Sequence, residues 1–328
     1  MPGEADFLIS LTRTSLGCPF YQMSDKFGGD PRHFGNFYRL FVLHVYTTFY
    51  HRISGDSLRM YVPKIPTYRQ AIWKKLISRP IRESVHLGQT IFGDIFHSVF
   101  VTFESFRVFA FLDCTEVLSC RPGVDTRLPL VWDLQRTFSS NYFKEHGLKF
   151  QVVAFPDGMI GSIFGCSIRH NDNGVLNMSG LNDYLQDILE PMGDTFVYPA
   201  IYCDAIYQIA ETIINRYANP NGIEQIINFK MAVQRIFIEH MFSNVKKLFQ
   251  IFQAKRQHRV TEGEADYLMH VIFTVFILIN CKTCFSGTRS GYFDLTPPTI
   301  EEYLPLNVEF PKAPYVVVPD EYIYPTQA

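Results

Sequence analysis

The pattern of apolar and polar positions changes character near residue 105. Before it, apolar residues recur at helical spacing. Residues 4–16 predict a short helix, and residues 20–27 another turn or two that stops at Gly28-Gly29. Asp30 then caps and Pro31 opens a long helix through Phe37, Leu40, Phe41, His44, Val45 and Thr48. Two helices joined by a Gly-containing turn fit a helix-turn-helix, with Arg32, His33, Asn36 and Arg39 where a DNA-reading helix makes its contacts; an ordinary helical hairpin fits equally. A further amphipathic stretch, residues 68–77, carries Arg69, Lys74 and Lys75, with Arg79 and Arg82 just beyond. Five cations so placed suit phosphates or a solvated helix face.

After residue 105 the runs are strand-like. Arg107 to Leu112 is apolar and aromatic-rich and stops on Asp113; Cys114, Thr115 and the breaking Arg121-Pro122-Gly123 follow. An acid delivered by the end of a buried strand is well placed for chemistry, although the same position suits an Asp that starts a turn. A polar loop with Arg121, Asp125, Arg127 and Asp133 leads to a second strand at 149–155, the turn Pro156-Asp157-Gly158 and a third strand at 159–166, which together predict a hairpin. A polar segment, 167–174, precedes Ser179, which caps a helix through Leu181, Tyr184, Leu185 and Ile188. Residues 197–203 predict a fourth strand ending on Asp204, and 206–217 a helical piece. A loop at Asn219-Pro220-Asn221-Gly222, a long helix over 223–252 holding Glu239, and a core helix over 262–281 complete an α/β order. The Pro- and Tyr-rich tail after Gly287 lacks periodicity and is expected to wrap the surface.

Composition narrows the class. With 328 residues, 47% hydrophobic and 15% aromatic, the chain has material for a large core. A formal net charge of -2 excludes coating nucleic acid by bulk positive potential, so any basic surface is local. The seven scattered cysteines (18, 114, 120, 166, 203, 281 and 284) suit reduced thiols inside a cell better than a disulfide framework. The acidic start, Met1 to Asp6, predicts no signal peptide, and the most apolar run, 271–280, is half a membrane span and predicts a buried helix.

Three acids stand out: Asp113 leaving the first strand, Asp172 just after the third, and Glu239 on a helix over the sheet. If two approach to about 4 Å they repel by about 4 kcal/mol at an effective dielectric of about 20. Mg²⁺ or Mn²⁺, hard ions that prefer carboxylate oxygen, relieve that repulsion, and a pair of them can activate water against a phosphodiester.

Several ordered blocks carry a resemblance. Phe111-Leu112-Asp113-Cys114-Thr115, continuing to Cys120-Arg121-Pro122, resembles the first block of the PIF/Harbinger group of DDE transposases and transposase-derived nucleases. Pro156-Asp157-Gly158 with Arg169-His170-Asn171-Asp172 and Ser179-Gly180-Leu181 is similar to its second block, and Tyr202-Cys203-Asp204-Ala205-Ile206-Tyr207 to its "GDxAY" block. Arg235 to Phe242 resembles the "RxxxExxF" block, and Ile277-Leu278-Ile279-Asn280 stands where the family has "LHN". The likeness runs from about 105 to 282. It implies an RNase H-like mixed sheet flanked by helices at 105–285, after a helical N-terminal domain at 1–104 and before an irregular tail at 286–328. It further implies metal-dependent DNA cleavage or strand transfer, with Asp113, Asp172 and Glu239 as the catalytic ligands of a two-ion Mg²⁺ or Mn²⁺ site. The implied partners are DNA, a separate DNA-binding protein and a second copy of the chain, in the nucleus, with no membrane.

Some positions depart from that pattern. Relatives read "RHD" where this chain has Arg169-His170-Asn171-Asp172, so one residue is inserted or replaced just before Asp172, and Cys203 and Cys114 stand in place of Gly. Asp204 replaces no ligand of the implied triad, yet it ends a strand beside the site and either touches metal or has a structural hydrogen-bonding role. Arg235, one turn before Glu239, shares its face and is placed to pair with it or meet a phosphate. His240 either orients substrate or packs as a helix histidine. Lys246, Lys247, Lys255, Arg256, His258 and Arg259 form the strongest basic cluster, a DNA-backbone track or a solvated face. Cys281-Lys282-Thr283-Cys284 has the spacing of half a zinc site or a redox pair, without a second pair to complete it. Besides a nuclease, the sequence admits a domesticated descendant that binds DNA or protein without cutting, which an isoelectric point near 6.5 and the altered "RHD" block favour, and a phosphohydrolase of another kind.

Overall fold

A computed structural model describes residues 4–78, 107–122, 130–190, 198–258, 260, 264–287 and 292–305. The expected positions Arg79, Arg82, Gly123, Asp125, Arg127 and Arg259 lie outside the described residues.

Helices Glu4–Leu16 (α1), Phe20–Phe27 (α2) and Pro31–Phe49 (α3) form as their apolar spacing predicts. Asp30 caps α3 by accepting from the Arg32 backbone N–H at 2.8 Å, with Pro31 as first residue. The α2–α3 turn depends on glycine, because Gly28 and Gly29 take φ of +70° and +97°. A 3₁₀ stretch, Gly55–Lys64, leads into α4, Ile65–Ser78.

Next come β1 (Val108–Ser119), α5 (Leu130–Thr137), β2 (Ser139–Ser140), β3 (Glu145–Ala154) and β4 (Ile160–Ser167). Then α6 (Asp172–Ser179) and α7 (Leu181–Leu189) cross over to β5 (Ala200–Tyr202) and β6 (Ile213–Ile214). Three helices end the chain: α8 (Gly222–Leu248), α9 (Glu264–Ser286) and α10 (Ile300–Tyr303).

The six strands form one mixed sheet. Both β2 and β4 pair with β3, and β1, β5 and β6 follow in that order. The β1–β3, β2–β3 and β3–β4 pairs are antiparallel, whereas β1–β5 and β5–β6 are parallel, so β3 alone runs against the rest. Side-chain alternation divides the core into two faces. On one, Phe111 joins Phe150, Val152, Phe237 and Phe276, together with Tyr38, Phe41 and Val42 of α3. On the other, Leu112 joins Val153, Phe155, Leu181 and Leu185, with Tyr61 of the 3₁₀ stretch. The N-terminal helices and the sheet therefore share buried surface.

Helix α9 is apolar on nearly all sides and is enclosed by α3, β4 and α8. It runs five residues past the end expected for the core helix over 262–281, and by length and composition it is the one helix among the described residues able to cross a membrane. Its close seat on β4 needs a glycine: a Cβ at Gly165 would lie 2.5 Å from the Met269 Sδ. Asn280, fully buried, fastens α9 to the sheet. Its Oδ1 accepts from Ile160 N at 2.8 Å, and its Nδ2 donates to Ile160 O at 2.8 Å and to Tyr303 Oη at 3.0 Å.

Several expected boundaries move. Strand β1 does not stop at Asp113 but runs six residues further, because β3 continues the ladder beside it through Thr115↔Phe150, Glu116↔Lys149 and Ser119↔His146. Residues 206–217 are no helix: Ile213 and Ile214, β-branched, pair with β5, and Asn215 Nδ2 holds Tyr207 O at 2.7 Å. The expected polar loop before residue 138 contains α5, and the expected long helix stops at Leu248. Ser179 is the last residue of α6, Gly180, at φ +59°, separates it from α7, and Ser179 Oγ accepts from Leu181 N, the first residue of α7, at 3.3 Å. The tail is not wholly irregular, since a Thr299/Glu302 capping box starts α10 and Tyr303 is buried.

Removing the Asn280 amide strands the Ile160 N–H and C=O in the core. Asn280→Ala should therefore lower stability by about 2–4 kcal/mol, read from urea unfolding. A second prediction concerns acid. Burial beside the Tyr46 ring, 4.0 Å between centroids, lowers the His270 pKa from 6.5 to about 4. The unfolded chain takes up that proton first, so stability is lost as pH falls from about 6.5 towards about 4. The His270 share of the loss should be about 2 kcal/mol by pH 5, and His270→Gln should remove that share from the acid destabilisation read by urea unfolding at pH 7 and pH 5.

Candidate active site

The central strand β1 carries Asp113 on the same face as Phe111, two residues away, which packs on Phe237 of α8. That face is where α8 crosses the sheet. Helix α8 begins with a reciprocal cap, Asn221 Oδ1 accepting from Glu224 N at 3.1 Å and Glu224 Oε2 accepting from Asn221 N at 2.8 Å. Further along, Arg235 reaches down to Asp113, Nη1 to Oδ2 at 3.1 Å, and along the helix to Glu239, Nη2 to Oε1 at 2.9 Å. One guanidinium thus joins two of the three expected acids. The second Asp113 oxygen, Oδ1, accepts from the Cys114 backbone N–H at 2.8 Å.

Asp204 stands two residues past Tyr202, whose parallel partner on β1 is Phe111; Asp113 stands two residues past Phe111. The two acids therefore leave adjacent parallel strands at the same level. Tyr202 belongs to the cluster that holds Phe111 and Phe237, and Asp204, just beyond it, is near enough to help raise the Asp113 pKa. The exposed Asp204 is set by a fixed loop: Tyr207 N donates to Asp204 O at 3.1 Å, and Gln208 N to Asn173 Oδ1 at 2.9 Å. The buried Tyr207 hydroxyl meets Cys114 Sγ at 3.2 Å, which ties the loop to the residue beside Asp113.

Asp172 is placed differently. It is the first residue of α6, capped by Asn171, whose Oδ1 accepts from Gly174 N at 2.7 Å. Asn171, where the Arg169–Asp172 block departs from "RHD", thus has a structural role. The Asp172 carboxylate pairs with Lys149 of β3 at 2.6 Å, and Lys149 also lies 3.9 Å from Glu116. Glu116 and Lys149 face each other across β1 and β3, an even number of residues from Cys114 and Gln151, and Gln151 donates to Ser179 of α6 at 2.9 Å. These groups lie on the α6 face. The structure therefore joins Asp113 and Glu239 through Arg235 and holds Asp172 on the opposite face of β1.

Charge spreads between the faces at this end of the sheet. Burial pushes the Asp113 carboxyl up to about 6; the Cys114 N–H and Arg235 oppose the rise, and Asp172 and then Asp204 add to it. Burial also works against the Lys149 ammonium, but its hydrogen bond and proximity to Asp172 outweigh this and hold its pKa above the ordinary value. Among the described residues no three His, Cys, Asp or Glu side chains stand close enough together to hold a metal ion. The donors nevertheless suit a hard divalent cation: Asp113, Asp204 and Glu239 offer only carboxylate oxygen. One cation, the Arg235 guanidinium, already sits between two of them.

The remaining expected residues fall around this centre. His240 is exposed on α8. Lys246 and Lys247 end α8, where they complement its C-terminal dipole, and Lys246 also lies over the Phe252 ring at 5.9 Å. Lys255 pairs with Glu145 at 2.6 Å, and Arg256 is exposed. Cys281 and Cys284, like the other five cysteines, are free thiols. Sequence reasoning gave no role to Lys149 or Tyr207. A lysine within the apolar run 148–155 is the signal for the first, and the place of Tyr207 at the end of the "GDxAY"-like block is the signal for the second.

Comparison with known proteins gives one match. A family model described as DDE superfamily endonuclease matches residues 112–280, just over half of the 328-residue chain. No curated protein and no solved structure matches.

The Lys149–Asp172 pair is mostly buried, at 7% and 22% side-chain exposure, and loss of one partner leaves the other uncompensated. In a double-mutant cycle of Lys149→Met and Asp172→Asn, urea unfolding should show coupling of about 1–3 kcal/mol.

Proposed function

Because the chain belongs to the DDE superfamily endonuclease family, we propose that it cuts DNA phosphodiesters in the manner of a transposase, with Asp113, Asp204 and Glu239 as its catalytic carboxylates. The observation that carries this reading is the shared guanidinium: Arg235 joins Asp113 to Glu239, with Asp204 near enough to help raise the Asp113 pKa. The sheet supports it. A central β1 flanked by antiparallel β3 and parallel β5, with one acid on β1, one just past β5 and one on the covering helix, supports the reading of an RNase H-like nuclease. The sequence blocks favour the PIF/Harbinger group within the family.

Each residue has a part. Asp113, Asp204 and Glu239 would hold Mg²⁺ or Mn²⁺, which when bound supplies Lewis acidity and neutralises charge at the phosphate. The Cys114 N–H fixes the orientation of Asp113, and Tyr207 fixes the loop that presents Asp204. Lys246, Lys247, Lys255, Arg256 and Arg259 are read as a backbone track for DNA, with the exposed Arg32, His33, Asn36 and Arg39 of α3 as a second contact. Hydrolysis leaves a 3′ hydroxyl, and in transposition that hydroxyl attacks a second DNA. Asp172 serves this site from the far face, through its pair with Lys149, as a structural charge. The nucleus, a separate DNA-binding partner and a second copy of the chain belong to this same proposal, as does the division at residues 104 and 285.

One observation favours a second reading, a descendant that binds DNA or protein without cutting: three of the acids already have side-chain cations beside them, Asp113 and Glu239 sharing Arg235, and Asp172 paired with Lys149. A plasmid-nicking assay with Mn²⁺ separates the two. Asp113→Asn, Asp204→Asn and Glu239→Gln should each reduce cleavage by about 100-fold or more, and Asp172→Asn by less than about tenfold. Equal inactivity of the wild type and Asp113→Asn would establish the non-cutting reading. Loss with Asp172→Asn and not with Asp204→Asn would return Asp172 to the ligand role.

A further inference from the structure

The Arg235 guanidinium occupies the gap between two carboxylates that face one another across α8 and β1. Its two terminal nitrogens are both used, one on Asp113 at 3.1 Å and one on Glu239 at 2.9 Å. A guanidinium needs that separation, whereas a divalent ion draws carboxylate oxygens to about 2.1 Å. An ion bridging the two carboxylates would take the place that the guanidinium now fills, and its double charge would repel the arginine. Both Asp113 oxygens already accept a hydrogen bond, Oδ1 from the Cys114 N–H and Oδ2 from Arg235, and each keeps a second lone pair for an ion. Arg235 has room to leave: its side chain is 22% exposed, and Glu239, at 47%, stands at the solvent edge. Among the described residues, these two carboxylates are the ones within ion-pair distance of Arg235.

We propose that Arg235 is the resident counter-cation of the empty carboxylate pair, and that a divalent ion binds by displacing its guanidinium from between Asp113 and Glu239. Arg235 is then a positioning residue that sets how much free ion the site requires. It holds the acids close while the site is empty, and it keeps a cation from binding tightly until concentration or substrate phosphate draws the guanidinium away. This rests on the nuclease reading of the same acids, and it makes a prediction that a purely structural pin between α8 and β1 does not. A pin would weaken ion binding when removed; a competitor would strengthen it.

The test is Mn²⁺ affinity of the full chain, measured by the loss of the free-ion electron paramagnetic resonance signal, with folding confirmed by circular dichroism. Arg235→Gln should bind Mn²⁺ about tenfold more tightly than the wild type. Arg235→Lys, which keeps the charge but cannot span both carboxylates, should shift affinity in the same direction by less, and it serves if the glutamine variant does not fold. Asp113→Asn should abolish the binding in each background. Affinity that is unchanged or weaker in the folded arginine variants overturns the inference, as does the absence of Mn²⁺ binding in all of them. The two failures are distinguishable: Asp113-dependent binding and cleavage with no tightening sink only the role of Arg235, whereas no binding and no cleavage by the wild type sink the nuclease reading as well.

Discussion

A carboxylate set into the middle of the central strand of a sheet must find positive charge nearby, since an unpaired buried ion costs several kcal/mol. Asp113 finds it in Arg235, and that contact determines much else. The arginine comes from the helix that covers the sheet, so α8 must cross β1 at this level, which Phe111 against Phe237 and Phe293 secures with apolar contact. Glu239 then follows from helical geometry alone: four residues beyond Arg235 it lies over the same patch. A strand position and a helix position 126 residues apart are thereby brought to one place by packing and by a single shared guanidinium.

The second consequence is the separation of the acids by sheet alternation. Adjacent residues on β1 face opposite ways, so Asp113 looks to α8 while Cys114 and Glu116 look to α6. On the α6 side Lys149 collects Glu116 and Asp172, and Tyr207 reaches Cys114. That side steadies the loop carrying Asp204 without adding a donor to the α8 face. The carboxyl of Asp113 still senses both groups through the thin edge of the sheet, which is part of why it is pushed up to about 6. Charge in this region is a balance of five acids and two principal side-chain cations, Arg235 and Lys149.

Much of this was legible in the residue pattern, for physical reasons that differ by element. Helices α1 to α3 announce themselves through Asp30-Pro31 and Gly28-Gly29, where capping and positive φ leave few alternatives. The β3–β4 hairpin follows from Pro156-Asp157-Gly158, with Gly158 at φ +87°. The length of β1 past Asp113 was not legible, because the polar residues Thr115, Glu116 and Ser119 read as loop until β3 is known to lie beside them. Nor was the strand at Ile213–Ile214, two residues long and defined only by its partner. Among site residues, Asp113, Arg235 and Glu239 were visible in ordered blocks. The choice between Asp172 and Asp204 was not, because nothing in a linear sequence says which face of the sheet a residue after a strand will take.

Diffraction data collected at the manganese absorption edge, from crystals of this protein soaked in Mn²⁺, test the account most directly. The account predicts an anomalous peak within bonding distance of Asp113 and Glu239 on the α8 face, with Asp204 in its coordination shell and the Arg235 guanidinium moved out of the gap. A peak at Asp172 on the α6 face, or no peak with Arg235 still spanning both carboxylates, would contradict it.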